Sequence, residues 1–372
     1  MNNKYEKTVK EILALADVQI DGINPWDIKV HNSKFYRRTI SEGVLGFGES
    51  YVDGWWDAEK VDELIERILA ARLNEKIKRK FSILFNLFAL QFLNLQTKRR
   101  AFIVGEKHYD LGNDLFENML DRRMNYSCAY WKDAETLDQA QENKLELICR
   151  KLYLKPGLRV LDIGCGWGPF GKYAAEKYNV EVVGITISNE QIELGRKLCE
   201  GLPVEFRLMD YRSMNEKFDR IVSVGMIEHV GLKNYGTFFE VANRCLKDDG
   251  LFLLHTIGQM KSKKTLDPWM NKYIFPNGFI PSVIQLNEAF DHLFVLEDWH
   301  NFGTDYEKTL MAWHDNFVKN WDKIKSHSSD RFFRMWKYYL LTAAAGFRSR
   351  RNQLWQIVLS KNGLPGGYQS IR

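Results

Sequence analysis

From residue 158 onward, apolar β-type runs alternate with stretches of helical periodicity. The runs are RVLDIG, VEVVGITIS, FDRIVSVG and GLFLLHTIG. Such alternation predicts a doubly wound α/β sheet. Two later runs, FVLEDWH and LWQIVLS, add strands at one edge, and FFRMWKYYLL reads as a helix with aromatics on more than one face. Towards the N-terminus the pattern changes. Residues 8–15 have helical periodicity and GFGESYVDGWWD, at 46–57, is turn-rich, so residues 1–75 read as a small helical or mixed module. Its closely spaced aromatics form either a packed corner or a lipid-facing rim. Packing is the expectation, because aromatics in a small domain usually go inside.

Between these regions lies KIKRKFSILFNLFALQFLNLQTKRR, residues 76–100, with seven basic residues at its ends, no acidic residue and an apolar centre interrupted by Ser, Asn and Gln. It is too short and too polar to span a bilayer. Two readings fit it: a helix lying on an anionic surface with Lys and Arg at the headgroups, or a buried helix between domains.

Length and charge narrow the picture further. At 372 residues the chain has room for two or three domains of roughly 150 residues each; the division expected is 1–100 for docking and a linker helix, 101–372 for catalysis. The net charge of +5 is mild and favours an anionic partner only where it is clustered, as at 76–100. That points to an anionic membrane surface and not to nucleic acid. Five cysteines stand far apart, with no CxxC pair and no Cys/His ligand spacing, which suits a reducing cytoplasm and argues against a metal site or a disulfide framework. MNNKYEKTVKEI lacks the apolar region of a signal peptide. The expected location is the cytoplasm, peripherally on the inner face of the cell membrane.

The chemistry concentrates at VLDIGCGWGPFG, residues 160–171. A strand ending in Asp162 and opening into glycines before a helix presents backbone N–H groups to a nucleotide-like ligand. GWGPFG satisfies GxGxxG, yet the second strand ends in GITIS without the acid that would hold a ribose, which opposes NAD. D-x-G-x-G-x-G instead suits S-adenosylmethionine: Asp162 faces the methionine ammonium while Gly164, Gly166 and Gly168 let the loop pass close. Further contacts are TISNEQ, including Thr186, Ser188 and Gln191, and the pair Asp210 and Tyr211 beside adenine. Each has a plainer alternative. Ser188 and Gln191 fit a capping box, and an Asp after a strand often caps the next helix.

At this point the chain resembles the cyclopropane-fatty-acyl-phospholipid synthases, along nearly its whole length. The resemblance is carried by FGESYVDGWWD, GEKHYDLGNDLF, YSCAYW, LDIGCGWG, GITISNEQ, SVGMIEHVG, LLHTIG, DPWMNKYIFPNG and DWHNFGTDY. It implies a Rossmann-like class I methyltransferase sheet with a smaller, mainly helical N-terminal domain, and adds Tyr126, Ser127, Cys165 and Ile187 to the cofactor contacts. The implied activity moves the S-adenosylmethionine methyl carbon onto a cis double bond of an unsaturated acyl chain in a membrane phospholipid, closing a cyclopropane. The resemblance further implies bound bicarbonate as the base, held by Cys128, Glu228, His255, the backbone of Ile257, and Tyr306, and it raises a homodimer. Tyr130, Trp131, Tyr235, Trp269 and Tyr273 are aromatic candidates for stabilising a cation. Without the resemblance, His255 on an apolar strand would read as a satisfied core histidine. One departure stands out: where some relatives carry a cysteine near a C-terminal F-R motif, this chain has Ala343, Ala344 and Ala345. Cys128 is therefore expected to be an anion ligand and not a nucleophile.

Other classes are an S-adenosylmethionine enzyme acting on a small amine or oxygen acceptor, a non-catalytic lipid-binding protein of the same fold, and an NAD oxidoreductase. The leading reading needs a device that reaches a bond deep in a bilayer. Liposome sedimentation is expected to show binding to anionic vesicles that weakens with salt and with Lys/Arg→Glu changes at residues 76–80, each charge contributing about 1 kcal/mol; salt-independent binding of equal strength to neutral vesicles overturns electrostatic docking.

Overall fold

The computed structural model describes residues 2–73, 76, 112–263, 265–324 and 329–372. Apart from Lys76, the basic-flanked segment lies outside these residues, as does the start of GEKHYDLGNDLF. The chain forms two compact units. The first holds Met1–Met119, Thr265–Pro276 and Leu310–Arg351; the second holds Leu120–Lys264, Asn277–Thr309 and Asn352–Arg372. A single boundary at residue 100 therefore does not divide the contacts, because two later stretches join the N-terminal module.

The first unit is mainly helical, with one short antiparallel pair, β1 (Lys29–Val30) and β2 (Trp56–Asp57). Helix Asn2–Ala14 matches the periodicity of its sequence. The turn expected from 46 onward is a correction: helix Lys34–Val52 runs through Gly46 and Gly48, its one non-helical residue being Gly43. These glycines serve close packing instead of chain reversal. A Cβ on Gly48 would stand 2.5 Å from Trp269 Cδ1, and one on Gly46 would collide with the Arg38 carbonyl. The nearby aromatics form a packed corner, with Phe47 and Tyr51 ring centroids 4.6 and 5.0 Å from Trp56, all three buried. Helix Asp330–Arg348 contains FFRMWKYYLL as expected and buries Ala344 and Ala345 on the same face as Leu341.

A buried carboxylate ties helix Lys34–Val52 to the stretch 265–276 of this unit. Glu49 accepts from Lys272 Nζ at 2.6 Å and Tyr273 Oη at 2.7 Å, and pairs with Arg38. Burial alone would raise its pKa. The Lys272 and Tyr273 hydrogen bonds and the two cations outweigh that and hold it below the usual carboxylate value.

The second unit is built on a seven-stranded sheet in the order β5-β4-β3-β6-β7-β9-β8. Its strands are β3 (Arg159–Ile163), β4 (Glu181–Thr186), β5 (Val204–Leu208), β6 (Phe218–Val224), β7 (Leu246–Gln259), β8 (Val295–Asn301) and β9 (Asn352–Ser360). The first five are parallel, and β9 pairs antiparallel with both β7 and β8. Continuous apolar runs suit this arrangement, since a central parallel strand is covered on both faces. Edge strand β5 alternates instead. The later runs join as β8 and β9, with β9 inserted between β7 and β8. Strand order reverses at β3, so the loops after β3 and β6 open side by side at the carboxyl edge, where ligands of such sheets bind.

Glu49→Gln is expected to destabilise the first unit by about 3 kcal/mol at neutral pH, read by thermal or urea unfolding. Because the folded carboxyl titrates below its ordinary value, its contribution is present above that value and fades as pH falls through the folded one. The gap between wild type and variant therefore narrows in acid; a gap that persists unchanged at low pH contradicts the assignment.

Candidate active site

Three glycines follow β3, and the structure separates their roles. Gly164, Gly166 and Gly168 all have positive φ, at 82°, 55° and 83°. A Cβ on Gly164 would lie 2.6 Å from Met226 Cγ and one on Gly168 would strike Phe206, so these two are required by packing. Around Gly166 there is open space within 4 Å. Gly166 is thus where a ligand can approach the backbone.

Asp162, at the end of β3, is buried, and burial pushes its pKa up to about 7 while Lys144 pulls the other way. A buried carboxylate of this kind fits a cationic ligand group, since an ammonium restores the charged form. After β4, Thr186 Oγ1 donates to Gln191 Oε1 at 2.8 Å and Ser188 Oγ accepts from the Gln191 N–H at 3.3 Å. Ser188 is therefore an N-cap, but the box is not reciprocated, because the Gln191 side chain turns to Thr186. Ile187 is exposed between them. Cys165 is buried beside Gly184, where a Cβ would come within 2.9 Å of it. Asp210 has a local structural role. It caps the turn Tyr211–Ser213 and takes both Arg212 Nε and Nη2, at 2.8 and 2.7 Å, and the Arg212 bonds hold its pKa down to about 2. Tyr211 packs edge-on against Phe238 at 5.6 Å.

The second set gathers around β7 and the turn after β6. Glu228 sits in helix Ile227–Val230 and accepts the Ile257 N–H through Oε1 at 2.7 Å. The Ile257 amide, expected to hold an anion, is therefore committed to Glu228. Burial pushes Glu228 up to about 7, against the Ile257 amide and the nearby Thr256 hydroxyl, which favour the charge. Among the described residues its buried Oε2 has no hydrogen-bond partner, nor have the buried Tyr235 Oη and His255 Nε2. His255 is fully buried, and burial with the charges of Lys144 and Lys151 holds its pKa well below the usual value. Phe302 packs on its ring at 5.9 Å and on Tyr130 at 5.2 Å.

The segment 126–131 is fixed from two sides. Ala129 N–H donates to Thr309 Oγ1 at 3.1 Å and Trp131 N–H to Asp305 Oδ2 at 2.7 Å, so Cys128 lies against the turn of helix Thr304–Lys319 that carries Tyr306. Cys128 is buried, which pushes its thiol well up, and its Sγ lies 3.1 Å from the Ala129 carbonyl. Opposite, Lys144 Nζ donates to Asn125 Oδ1 at 2.7 Å and Ser127 Oγ at 3.0 Å, while Gln141 Nε2 donates to the Ser127 carbonyl at 2.9 Å.

Lys144 was not among the expected site residues. Its signal in the sequence is a lysine on the inward stripe of helix Leu137–Lys151, beside Ala140, Gln141, Leu145 and Ile148. It is fully buried, which pushes its pKa down to about 8, while Asp121, Cys128 and Asp162 favour its charge. Gln356, packed against His255, was likewise missed. Two of the aromatic candidates, Trp269 and Tyr273, pack within the helical unit on Gly48, Glu49 and Tyr338. No group of three His, Cys, Asp or Glu among the described residues could hold a metal ion.

Residues 96–357 match the family model for mycolic acid cyclopropane synthetase. The chain belongs to this family. Over 371 residues it is 52% identical to the cyclopropane-fatty-acyl-phospholipid synthase of Escherichia coli strain K12, covering 100% of this chain and 97% of that one. Among solved structures it resembles the cyclopropane synthase MmaA2 from Mycobacterium tuberculosis, at 32% identity and a TM-score of 0.65 over 68% of this chain and 96% of that chain. It also resembles the mycolic acid cyclopropane synthase CmaA1 complexed with SAH and CTAB, at 33% identity and 0.64, with the same coverage. The sheet is that of a class I methyltransferase, and the chain is an S-adenosylmethionine-dependent enzyme of this family. Membership gives the reaction class, cyclopropanation of lipids.

Asp162→Asn is expected to weaken S-adenosylhomocysteine binding roughly ten- to hundredfold in calorimetry, the loss of one charge-assisted hydrogen bond of about 1.5–3 kcal/mol. Unchanged affinity removes Asp162 from the ammonium site.

Proposed function

We propose that the enzyme transfers the S-adenosylmethionine methyl carbon onto the cis double bond of an unsaturated acyl chain esterified in a membrane phospholipid, and closes a cyclopropane with bicarbonate bound as the base. The observation that carries this reading is the set of buried polar atoms without partners, Glu228 Oε2, His255 Nε2 and Tyr235 Oη, at the carboxyl edge of the methyltransferase sheet. Each such atom costs about 1–3 kcal/mol when left unpaired. A small polar guest removes that cost, and an apolar acyl chain alone does not. The full-length identity to the Escherichia coli synthase supports the substrate class.

S-adenosylmethionine supplies an electrophilic methyl on a sulfonium centre, and bicarbonate supplies a base small enough for a crowded apolar site. The chain's own residues have the remaining tasks. Asp162 binds the ammonium and Gly166 lets the ligand lie against the backbone. An alkene is a poor nucleophile and its carbocation is quenched by water, so the buried Phe302 and Tyr235 rings, with half-buried Tyr130 packed on Phe302, exclude solvent. Rings facing the cation stabilise it by about 1–2 kcal/mol. Around the base, His255 and Tyr306 donate and Glu228 Oε2 accepts an O–H. Cys128 stays a thiol because burial pushes its pKa up, which suits a weak donor and not a nucleophile. Ile257 acts indirectly, its amide orienting Glu228. Docking on the inner face of the membrane is assigned to 76–100. Among the described residues no helix is long and apolar enough to cross a bilayer.

Incubation with unsaturated phospholipid vesicles and S-adenosylmethionine bearing a trideuterated methyl tests the reaction by mass spectrometry. Two deuterons retained on an acyl chain that has lost its double bond is the expected result; three on a headgroup or small molecule makes the enzyme an ordinary methyltransferase. Glu228→Gln is expected to lower kcat by two to four orders of magnitude, roughly the worth of a placed proton acceptor, while Cys128→Ser keeps partial activity. Because Oε2 accepts only when unprotonated, wild-type activity rises with pH through about 7. A fully active Glu228→Gln enzyme removes the base-site assignment.

A further inference from the structure

We infer that Gln356 is a positioning residue that sets the tautomer of His255, leaving the ring proton on Nε2, where it points away from the amide as a donor. The inference rests on the base-site reading for what that proton does, but not for where it is.

The argument begins in the register of the sheet. His255 on β7 stands directly opposite Gln356 on β9, and Gln356 in turn stands opposite His300 on β8, so the three form one cross-strand row. Directly opposed residues on neighbouring strands point to the same face. Gln356 Nε2 lies 3.3 Å from His255 Nδ1. An amide nitrogen has only hydrogens to offer, so Nδ1 must be the ring nitrogen with the free lone pair. A neutral imidazole carries one proton, which then belongs to Nε2. The ring is neutral on independent grounds: it is fully buried and in the field of two lysines, Lys144 and Lys151, with no carboxylate hydrogen-bonded to it.

The consequence is directional. His255 Nε2 is buried and without a partner, and with this tautomer it is a donor aimed at whatever anion enters. The other tautomer would present a lone pair there and repel an oxyanion. Packing keeps the ring in place: it is fully buried with Phe302 against it at 5.9 Å, on strands held in register from Leu251↔Ser360 to Gln259↔Asn352. Gln356 does not reach the reacting atoms. It acts through His255.

The test uses the full-length protein labelled with nitrogen-15 in its imidazole rings, free of bicarbonate and S-adenosylmethionine. Two-bond proton–nitrogen spectra distinguish the tautomers, and the signals lost in His255→Asn identify the ring among the eight histidines. Wild type is expected to show a protonated Nε2 and an unprotonated Nδ1 at neutral pH. In Gln356→Glu the carboxylate demands a proton from Nδ1, so the two signals interchange or both nitrogens become protonated. Gln356→Met, which offers neither donor nor acceptor, gives a mixture of tautomers. With the tautomer wrong, kcat in Gln356→Glu falls on the order of 100-fold while KM for S-adenosylmethionine stays within about threefold. A wild-type ring protonated on Nδ1 overturns the inference, and that spectrum needs no variant to fold. So does a Gln356→Glu ring with the wild-type signature. Should activity prove indifferent to bicarbonate while the spectra behave as expected, the tautomer assignment is upheld and the base reading alone falls.

Discussion

Burying ionisable groups at the carboxyl edge of the sheet is the constraint from which the rest of this site follows. Lys144 is the centre of it. An ammonium taken out of water costs several kcal/mol unless its neighbours repay it, and here repayment comes from Asn125, Ser127 and the charge of Asp162. The same cation favours the charged Asp162 and disfavours a charged His255. One buried charge thus ties the segment 125–128 to the helix beneath it and, after burial itself, biases the ionisation of groups on two different strands.

The packing that surrounds this charge divides labour between elements. The parallel strands β3, β4 and β6 end in the loops that meet a nucleotide-like ligand, as they do wherever strand order reverses. The antiparallel addition, β9, contributes nothing to those loops. It covers β7, pairs with β8 and supplies Gln356 to the back of His255. Under the proposed function, cofactor handling and proton handling fall on separate halves of one sheet, joined through β6 and β7, whose connection carries Glu228.

Much of this was legible in the residues. The alternation of apolar runs with helical stretches located four of the five parallel strands, β3, β4, β6 and β7, but not β5, whose VEFRL is no continuous apolar run. What failed did so for definite reasons. Gly46 and Gly48 look like turn residues, yet in the fold they let Arg38 and Trp269 approach a helix, and glycine's role in close packing cannot be told from its role in reversal without the partner. Gln141 and Lys144 carried a readable signal, polar residues on an inward stripe; its meaning depended on a distant backbone segment. Gln356 had no local signal at all, since its importance comes from a register between strands about a hundred residues apart.

The insertion of β9 also orders the birth of the molecule. Every other strand of the sheet precedes it in the chain, and β8 borders only β9. Until β9 emerges during synthesis, β7 therefore offers an open hydrogen-bonding edge and β8 has nothing to pair with. An exposed apolar edge of that length invites pairing with other chains. The interval before closure is thus the period in which the sheet is most open to pairing with other chains, and a ribosome that stalls shortly before residue 352 would leave its widest seam open.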